Sequence, residues 1–224
     1  MNNFVIAIDG PAGAGKSTVA RLVARKLNYT YIDTGAMYRA ATWQVLQMNL
    51  PTVEIVDIEK AVEDLTITLK YENGDMKVMV GENDVTTAIR TPEVTALVSK
   101  VAQVSKVRHK LVALQQAMAE RGAVVMDGRD ICTHVLPNAD VKVFLTASIQ
   151  ERAQRRYKEL CRKGYDVSLK QLQIDIAARD KADSERQISP LIQAPDAILL
   201  DTTDLTIEEA VEAIFKMAER AKQC

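Results

Sequence analysis

The sequence predicts an α/β fold, a parallel core sheet with a small antiparallel insertion, and three observations predict it. Short, continuous apolar runs rich in β-branched residues recur along the 224-residue chain, and such runs mark strands buried on both faces. The first two runs alternate with segments of helical period, the signature of this class. A stretch near the middle instead alternates residue by residue on either side of an Asn-Gly pair, the strongest short-range hairpin signal.

Taken in order, Phe4, Val5, Ile6, Ala7 and Ile8 predict the first strand, and residues 9–15 follow as a turn that only small residues can make. From Lys16 the period is helical, with Val19, Leu22, Val23 and Leu27 on one face and Asn28 as a stop. Residues 29–33 predict a second strand, and Thr34-Gly35 opens a helix running through Trp43 to about Met48, before Pro51. Leu65, Ile67, Leu69 and Tyr71 then alternate with Thr66, Thr68 and Lys70, and Met76, Val78 and Val80 alternate beyond Asn73-Gly74. Local pairing of this kind does not fit a crossover, so residues 63–90 are read as an antiparallel insertion. Thr91 caps a new helix with Pro92 in its first turn. Three more core strands are expected at 123–127, 141–145 and 197–201. The last helix opens on a capping box, Thr206 with Glu209, and is expected to bury Ile207, Val211, Ile214 and Phe215. With no repeat, low-complexity tract or linker, one interrupted domain over 1–224 is the simplest organisation.

Composition excludes several classes of function. Lys and Arg number 29 and Asp and Glu 30, a net charge of −1, where a nucleic-acid-coating domain would be strongly basic. Aromatic residues at 4% leave no stripe on which bases could stack. Cys132, Cys161 and Cys224 form no C-x-x-C pair, which speaks against a zinc or disulfide framework and for a reducing compartment. The first apolar run is five residues with no cationic region before it, too short for a signal peptide. Nothing approaches the roughly 20 apolar residues of a membrane span. A cytoplasmic protein is expected and, with no surplus apolar stripe, a monomer.

Gly10, Pro11, Ala12, Gly13, Ala14, Gly15, Lys16 and Ser17 satisfy G-x-x-x-x-G-K-[ST] between a strand and a helix, the context this phosphate-binding motif requires. Glycines let backbone N–H groups converge on phosphate oxygens, and the helix presents its positive end to the same charge. Lys16 can reach the β- and γ-phosphates, and the Ser17 hydroxyl is a ligand for Mg²⁺. Such a site alone does not separate switches, motors and kinases.

A kinase must hold a second substrate. Asp127 ends a strand and is either a turn cap or a carboxylate holding water around Mg²⁺. Arg129 and Asp130 then offer a fork donor for phosphate and an acceptor for a base amine. Residues 33–39 end the second strand in the same way, with Arg39 as a phosphate ligand or a surface charge. Residues 152–163 carry six positive charges and one negative, and Arg152, Arg155 and Arg156 share a helix face. That face is either solvated or able to close over a triphosphate. Arg179, Asp183 and Arg186, at i, i+4 and i+7, suit an anionic, hydroxyl-bearing ligand or a surface ion-pair network.

Taken together these residues resemble the bacterial cytidylate kinase family. The match runs from GPAGAGKST at 10–18 through DTGAMYR at 33–39, DGRD at 127–130 and ERAQRRY at 151–157. It continues with ARDKADSER at 178–186, ISPL at 188–191 and LDTT at 200–203, essentially the whole chain. The resemblance implies a three-layer P-loop nucleoside monophosphate kinase with a parallel five-stranded core sheet, residues 63–90 as the antiparallel part of the monophosphate-binding insertion, and a mobile helical lid over 152–180. It implies transfer of the γ-phosphate of ATP to CMP or dCMP with Mg²⁺, and ATP binding by residues 10–18, Thr18 included. Thr34 and Asp183 would hold the ribose, and Arg39, Arg129 and Arg179 the acceptor phosphate, with Arg186 beside them. Ser99, Arg108 and Asp130 match the family's cytosine-reading positions, and Lys16 with the lid arginines Arg152 and Arg156 would neutralise the transferring phosphates.

Two positions depart from the family pattern, which usually reads I-G-T-V after D-G-R-D where this chain has Ile131-Cys132-Thr133-His134. Cys132 replaces a glycine, with a small penalty if the backbone there needs positive φ. His134, like His109, is expected to be a bystander. The rival readings are a kinase of another acceptor (UMP, AMP or a small alcohol), a nucleotide switch, for which the guanine-reading N-K-x-D is missing, and an RNA-binding accessory protein.

Overall fold

In this computed structural model the described residues are 4–72, 75–120, 122–162 and 164–223; the Asn73-Gly74 turn, Lys163 and Cys224 lie outside them. The chain begins with β1 (Val5–Asp9), α1 (Lys16–Leu27), β2 (Thr30–Asp33) and α2 (Thr34–Leu46). It continues through α3 (Ile55–Ala61), β3 (Ile67–Glu72), β4 (Asp75–Val80), β5 (Asn83–Asp84), α4 (Pro92–Val101) and α5 (Ser105–Ala119). Then come β6 (Val124–Gly128), a π-helical turn (Ile131–Val135), β7 (Val141–Thr146) and α6 (Ile149–Arg162). The chain ends with α7 (Leu169–Glu185), β8 (Ile198–Asp201) and α8 (Ile207–Ala221). These elements group into two compact units, one of residues up to 32 and from 119 onward, the other of residues 33–118. No helix among the described residues is long and apolar enough to cross a membrane.

The larger unit is built on a five-stranded sheet of order β2-β6-β1-β7-β8. β1 is central and pairs in parallel with β6 and β7, Ile8 opposite Asp127 and Asp9 opposite Gly128. Ile6, Ala7 and Ile8 are wholly buried, as the continuous apolar run requires. α1 packs against β6 and α8, and Asn28 ends it in the left-handed conformation at φ 57°.

Two expectations are corrected here. β8 is not a core strand: it pairs only with β7 at the edge of the sheet, and Ile198 and Leu199 are 48% and 55% exposed. An apolar run reports composition, not the number of neighbours a strand finds. In α8 the capping box forms, Glu209 N–H donating to Thr206 Oγ1 at 3.1 Å and Thr206 N–H to Glu209 at 2.9 Å. Ile207, however, is 48% exposed, because the first helical residue precedes the stripe that Ala210, Val211 and Ile214 bury. Phe215 is half-buried, with the Lys26 ammonium 4.0 Å over its ring.

The smaller unit carries the antiparallel sheet β3-β4-β5, Ile67 opposite Val80 and Glu72 opposite Asp75. α2 packs on α3, α4 and β4. Thr91 caps α4 as expected, accepting from Val94 N–H at 3.5 Å. Sequence reading passed over α3, whose N-cap Glu54 is not a preferred capping residue, although Asp57 accepts its N–H at 2.9 Å. Arg108 and His109 lie on a helix, as expected, and that helix, α5, starts afresh at Ser105.

One glycine fixes where β1 turns into the loop. Gly10 has φ 147°, and a Cβ there would lie 1.9 Å from the Leu145 carbonyl oxygen of β7. Gly10→Ala is expected to destabilise the protein by roughly 2 kcal/mol or more, read from the denaturant midpoint; an unchanged midpoint would show that the contact yields freely.

Candidate active site

The loop after β1 enters α1 at Lys16, with Gly15 as N-cap at φ 93° and no side-chain cap. First-turn N–H groups that no side chain satisfies, at the positive end of a helix, form an anion site. The loop carbonyls are held by cations. Pro11 accepts from Lys16 Nζ at 2.8 Å, Ala12 from Arg152 Nη1 at 3.0 Å and Ala14 from Arg155 Nη1 at 3.3 Å.

Lys16 is buried. Burial, foremost, and then the neighbouring Arg129 guanidinium lower its ammonium to about 7, while the Asp127 and Asp9 carboxylates pull the other way. Ser17 Oγ donates to Asp127 Oδ2 at 3.0 Å, and the Tyr31 hydroxyl donates to Asp127 Oδ1 at 2.7 Å. A hydroxyl and a carboxylate side by side at a phosphate loop are the hard oxygen donors that suit Mg²⁺.

The turn after β6 carries the next cluster. Arg129 Nε donates to Asp183 Oδ2 at 2.9 Å, and Arg186 Nη2 lies 3.3 Å from Asp130 Oδ1. Burial works to raise the Asp183 carboxyl, but the Arg129, Arg179 and Arg186 guanidinium groups hold it below the usual carboxylate range. Arg179 also bears on the Lys16 charge. Thus Lys16, Ser17, Asp127, Arg129, Asp130, Arg179, Asp183 and Arg186 meet where β1, β6 and α7 end.

Three arginines of α6, Arg152, Arg155 and Arg156, divide their work. Arg152 is buried and donates to the Ala147 carbonyl at 2.8 Å, to Ala12 and to Asp180 Oδ2 at 2.6 Å. Arg155 donates to the Thr202 carbonyl at 2.6 Å as well as to Ala14. Arg156 pairs with Glu159 one turn along its own helix at 2.7 Å.

In the smaller unit, Asp33 caps α2 by accepting from Ala36 N–H at 2.8 Å, and Thr34 is the buried first residue of that helix. Arg39 Nη1 donates to Thr95 Oγ1 at 2.9 Å. Arg108 on α5 is buried, donates to the Ala102 carbonyl at 3.3 Å and lies 5.6 Å from the Tyr38 ring centre. Ser99, half-buried, sits on α4 one turn before Ala102.

Cys132 needs no positive φ, so its glycine-to-cysteine change carries no backbone penalty. Its buried thiol lies 3.6 Å from the Ala7 carbonyl, and burial pushes its pKa far up, which removes the thiolate needed for oxidation. His134 and His109 are exposed. Sequence reading overlooked Asp9, Tyr31, Tyr38, Thr95 and Asp180. Asp9 left one signal: Ile8-Asp9-Gly10 repeats the apolar-Asp-Gly ending of Met126-Asp127-Gly128.

The burial of Arg152, its side chain 5% exposed against Asp180, makes a stability prediction. Arg152→Ala strands a carboxylate and two carbonyls and is expected to cost about 3 kcal/mol in chemical denaturation; a loss below about 0.5 kcal/mol would mean that the pair carries no net stability.

Comparison with known proteins gives the family. A sequence model of the cytidylate kinase family matches residues 6–220. The chain is 53% identical over 217 residues to the cytidylate kinase of Lysinibacillus sphaericus (strain C3-41), covering 97% of each protein. It is 54% identical over 218 residues to that of Bacillus subtilis (strain 168), covering 96% of each. Among solved structures, a gluconokinase from Sinorhizobium meliloti 1021 superposes with a TM-score of 0.50 at 14% identity, covering 97% of this chain and 93% of the other; it is similar in fold alone. A match over nearly the whole length at this identity means that the chain belongs to the cytidylate kinase family.

Proposed function

We propose that the protein transfers the γ-phosphate of ATP to CMP and dCMP, giving CDP or dCDP and ADP. The observation that carries the reading is a second set of cations, Arg129, Arg179 and Arg186, interleaved with Asp130 and Asp183 beside the phosphate-loop lysine. A nucleotide switch has no use for it; a kinase needs it to bring an acceptor phosphate to the donor. Family membership names the acceptor, and the alternative of UMP, AMP or a small alcohol is not favoured.

The work is positioning and charge neutralisation, since phosphoryl transfer through a loose transition state asks little else of a protein. Residues 10–18 cradle the triphosphate of ATP, with Lys16 leaving the Pro11 carbonyl for the β- and γ-phosphates. Arg39, Arg129 and Arg179 bind the acceptor phosphate, Thr34 and Asp183 the ribose, with Arg186 beside them. Ser99, Arg108 and Asp130 read cytosine. Ser17, and Asp127 through water, would hold Mg²⁺, which when bound offsets charge on the phosphate oxygens. Residues 152–180 act as a lid that excludes water, Arg152 supporting the loop and Arg156 exchanging Glu159 for phosphate. The protein works as a monomer in the cytoplasm, where its thiols stay reduced.

A coupled ADP-release assay with CMP, dCMP, UMP, AMP or no acceptor tests the reading: fast turnover is expected with CMP and dCMP only, and equal turnover with another acceptor would sink it. Arg108→Ala should lower the preference for CMP over UMP by about tenfold or more; equal losses on both would take Arg108 out of base reading.

Lys16 predicts a proton linkage. Free, its ammonium titrates at about 7; phosphate oxygens beside it favour the charged form and raise that value. Binding therefore takes up a proton above pH 7, and ATP affinity should fall between pH 7 and pH 9 by at most tenfold per unit. Calorimetry at pH 8 in buffers of different ionisation enthalpy should register this uptake and lose it near pH 6; no uptake at pH 8 would place the Lys16 charge outside the site.

A further inference from the structure

A carboxylate that no step of the proposed reaction uses lies inside the larger unit. Asp9, the last residue of β1, is wholly buried, and burial, foremost, raises its pKa. Its two oxygens are taken up by main-chain donors: Oδ1 accepts from Ile131 N–H at 2.8 Å and Oδ2 from Cys132 N–H at 2.7 Å. A buried carboxylate is costly even when hydrogen-bonded, so the chain is investing in what this one holds. β1 and β6 pair with Asp9 opposite Gly128. The backbone is thus pinned at Gly128 by the sheet and at Ile131 and Cys132 by Asp9, and the residues between are Arg129 and Asp130. His134 and Val135 N–H donate in turn to the Asp130 carbonyl at 2.9 and 3.2 Å, closing the π turn behind it. From this short span Arg129 reaches Asp183 and Asp130 reaches Arg186.

We infer that Asp9 is a positioning residue for the acceptor: by gripping the Ile131 and Cys132 amides it sets the directions in which Arg129 and Asp130 present their charges. The inference rests on the acceptor-side roles proposed above. Charge and position are separable at this residue. Asp9 faces Lys16 and Asp130, so removing its negative charge takes one repulsion away from an anionic ligand but also lowers the Lys16 ammonium, two effects of opposite sign. Loosening the turn weakens the hold on the acceptor.

Asp9→Asn is nearly isosteric, keeps one acceptor and turns an amide donor toward a main-chain donor. The KM for CMP should rise about tenfold or more, while the ATP Kd, titrated without acceptor, stays within about twofold. Hydrogen exchange at the Ile131 and Cys132 amides should quicken while β7 stays protected. Asp9→Ala, which deletes both acceptors and adds no donor, should move the same readouts in the same directions. The wild-type protein provides a check that needs no variant: without ligand, these two amides should exchange as slowly as those of β6, and rapid exchange there overturns the inference. So does an unchanged or lowered KM for CMP, or an equal weakening of ATP and CMP. If the wild type uses another acceptor, the cytosine assignment fails on its own, and Asp9 is judged by that acceptor's KM and by the same exchange rates.

Discussion

The constraint on which the site depends is the direction of the peptide groups in the loop after β1. In a trans peptide the carbonyl of one residue and the N–H of the next point opposite ways, and no cis bond occurs among the described residues. With the carbonyls of Pro11, Ala12 and Ala14 drawn to Lys16, Arg152 and Arg155, the N–H groups of Ala12, Gly13 and Gly15 point away from those cations. A loop that must offer unsatisfied donors to a ligand has to satisfy its acceptors elsewhere. Two arginines of α6 supply that from outside the loop, and they are rigid, permanently charged forks suited to the task. The third partner, Lys16, is the one that can leave: a single flexible ammonium, kept near neutrality by burial, gives up one carbonyl at little cost when phosphate arrives.

The same economy of charge runs through the turn beside the loop. Burial, foremost, lowers the Lys16 ammonium, Arg129 and Arg179 push the same way, and Asp127 and Asp9 oppose them, so phosphate oxygens placed beside it restore its charge. Asp183, held ionised by three guanidinium groups, keeps those cations oriented until an anionic ligand takes them over. Lys16, Arg129 and Arg186 each have a carboxylate or carbonyl as a placeholder, and exchanging placeholder for ligand is cheaper than assembling bare charges.

Much of this was legible in the residues. The five apolar runs gave five strands, Asn28 stopped α1 where expected, and the alternation around Asn73-Gly74 gave β3 and β4, because period and turn chemistry are local properties. The loop was legible because only glycines with a lysine and a hydroxyl at fixed spacing do that work. What was not legible depended on partners distant in sequence. β8 reads like β1 yet has one neighbour. Arg152 and Arg155 read like a solvated or closing face, and their contacts, Ala12 and Ala14, lie about 140 residues away. Asp9 read as part of a turn because its partners are main-chain amides 122 and 123 residues on, and an amide leaves no letter in a sequence.

That last point explains how the turn after β6 tolerates Cys132 in place of the family's glycine. The work done there belongs to the N–H, which every residue but proline supplies. The backbone at Cys132 does not need a glycine's freedom, and the side chain turns toward the Ala7 and Val143 carbonyls of β1 and β7. Change is permitted at this position because the contact that matters is main chain. At Asp9, the other end of the same hydrogen bond, the side chain is the contact, and no other residue offers two oxygens at that distance from the strand.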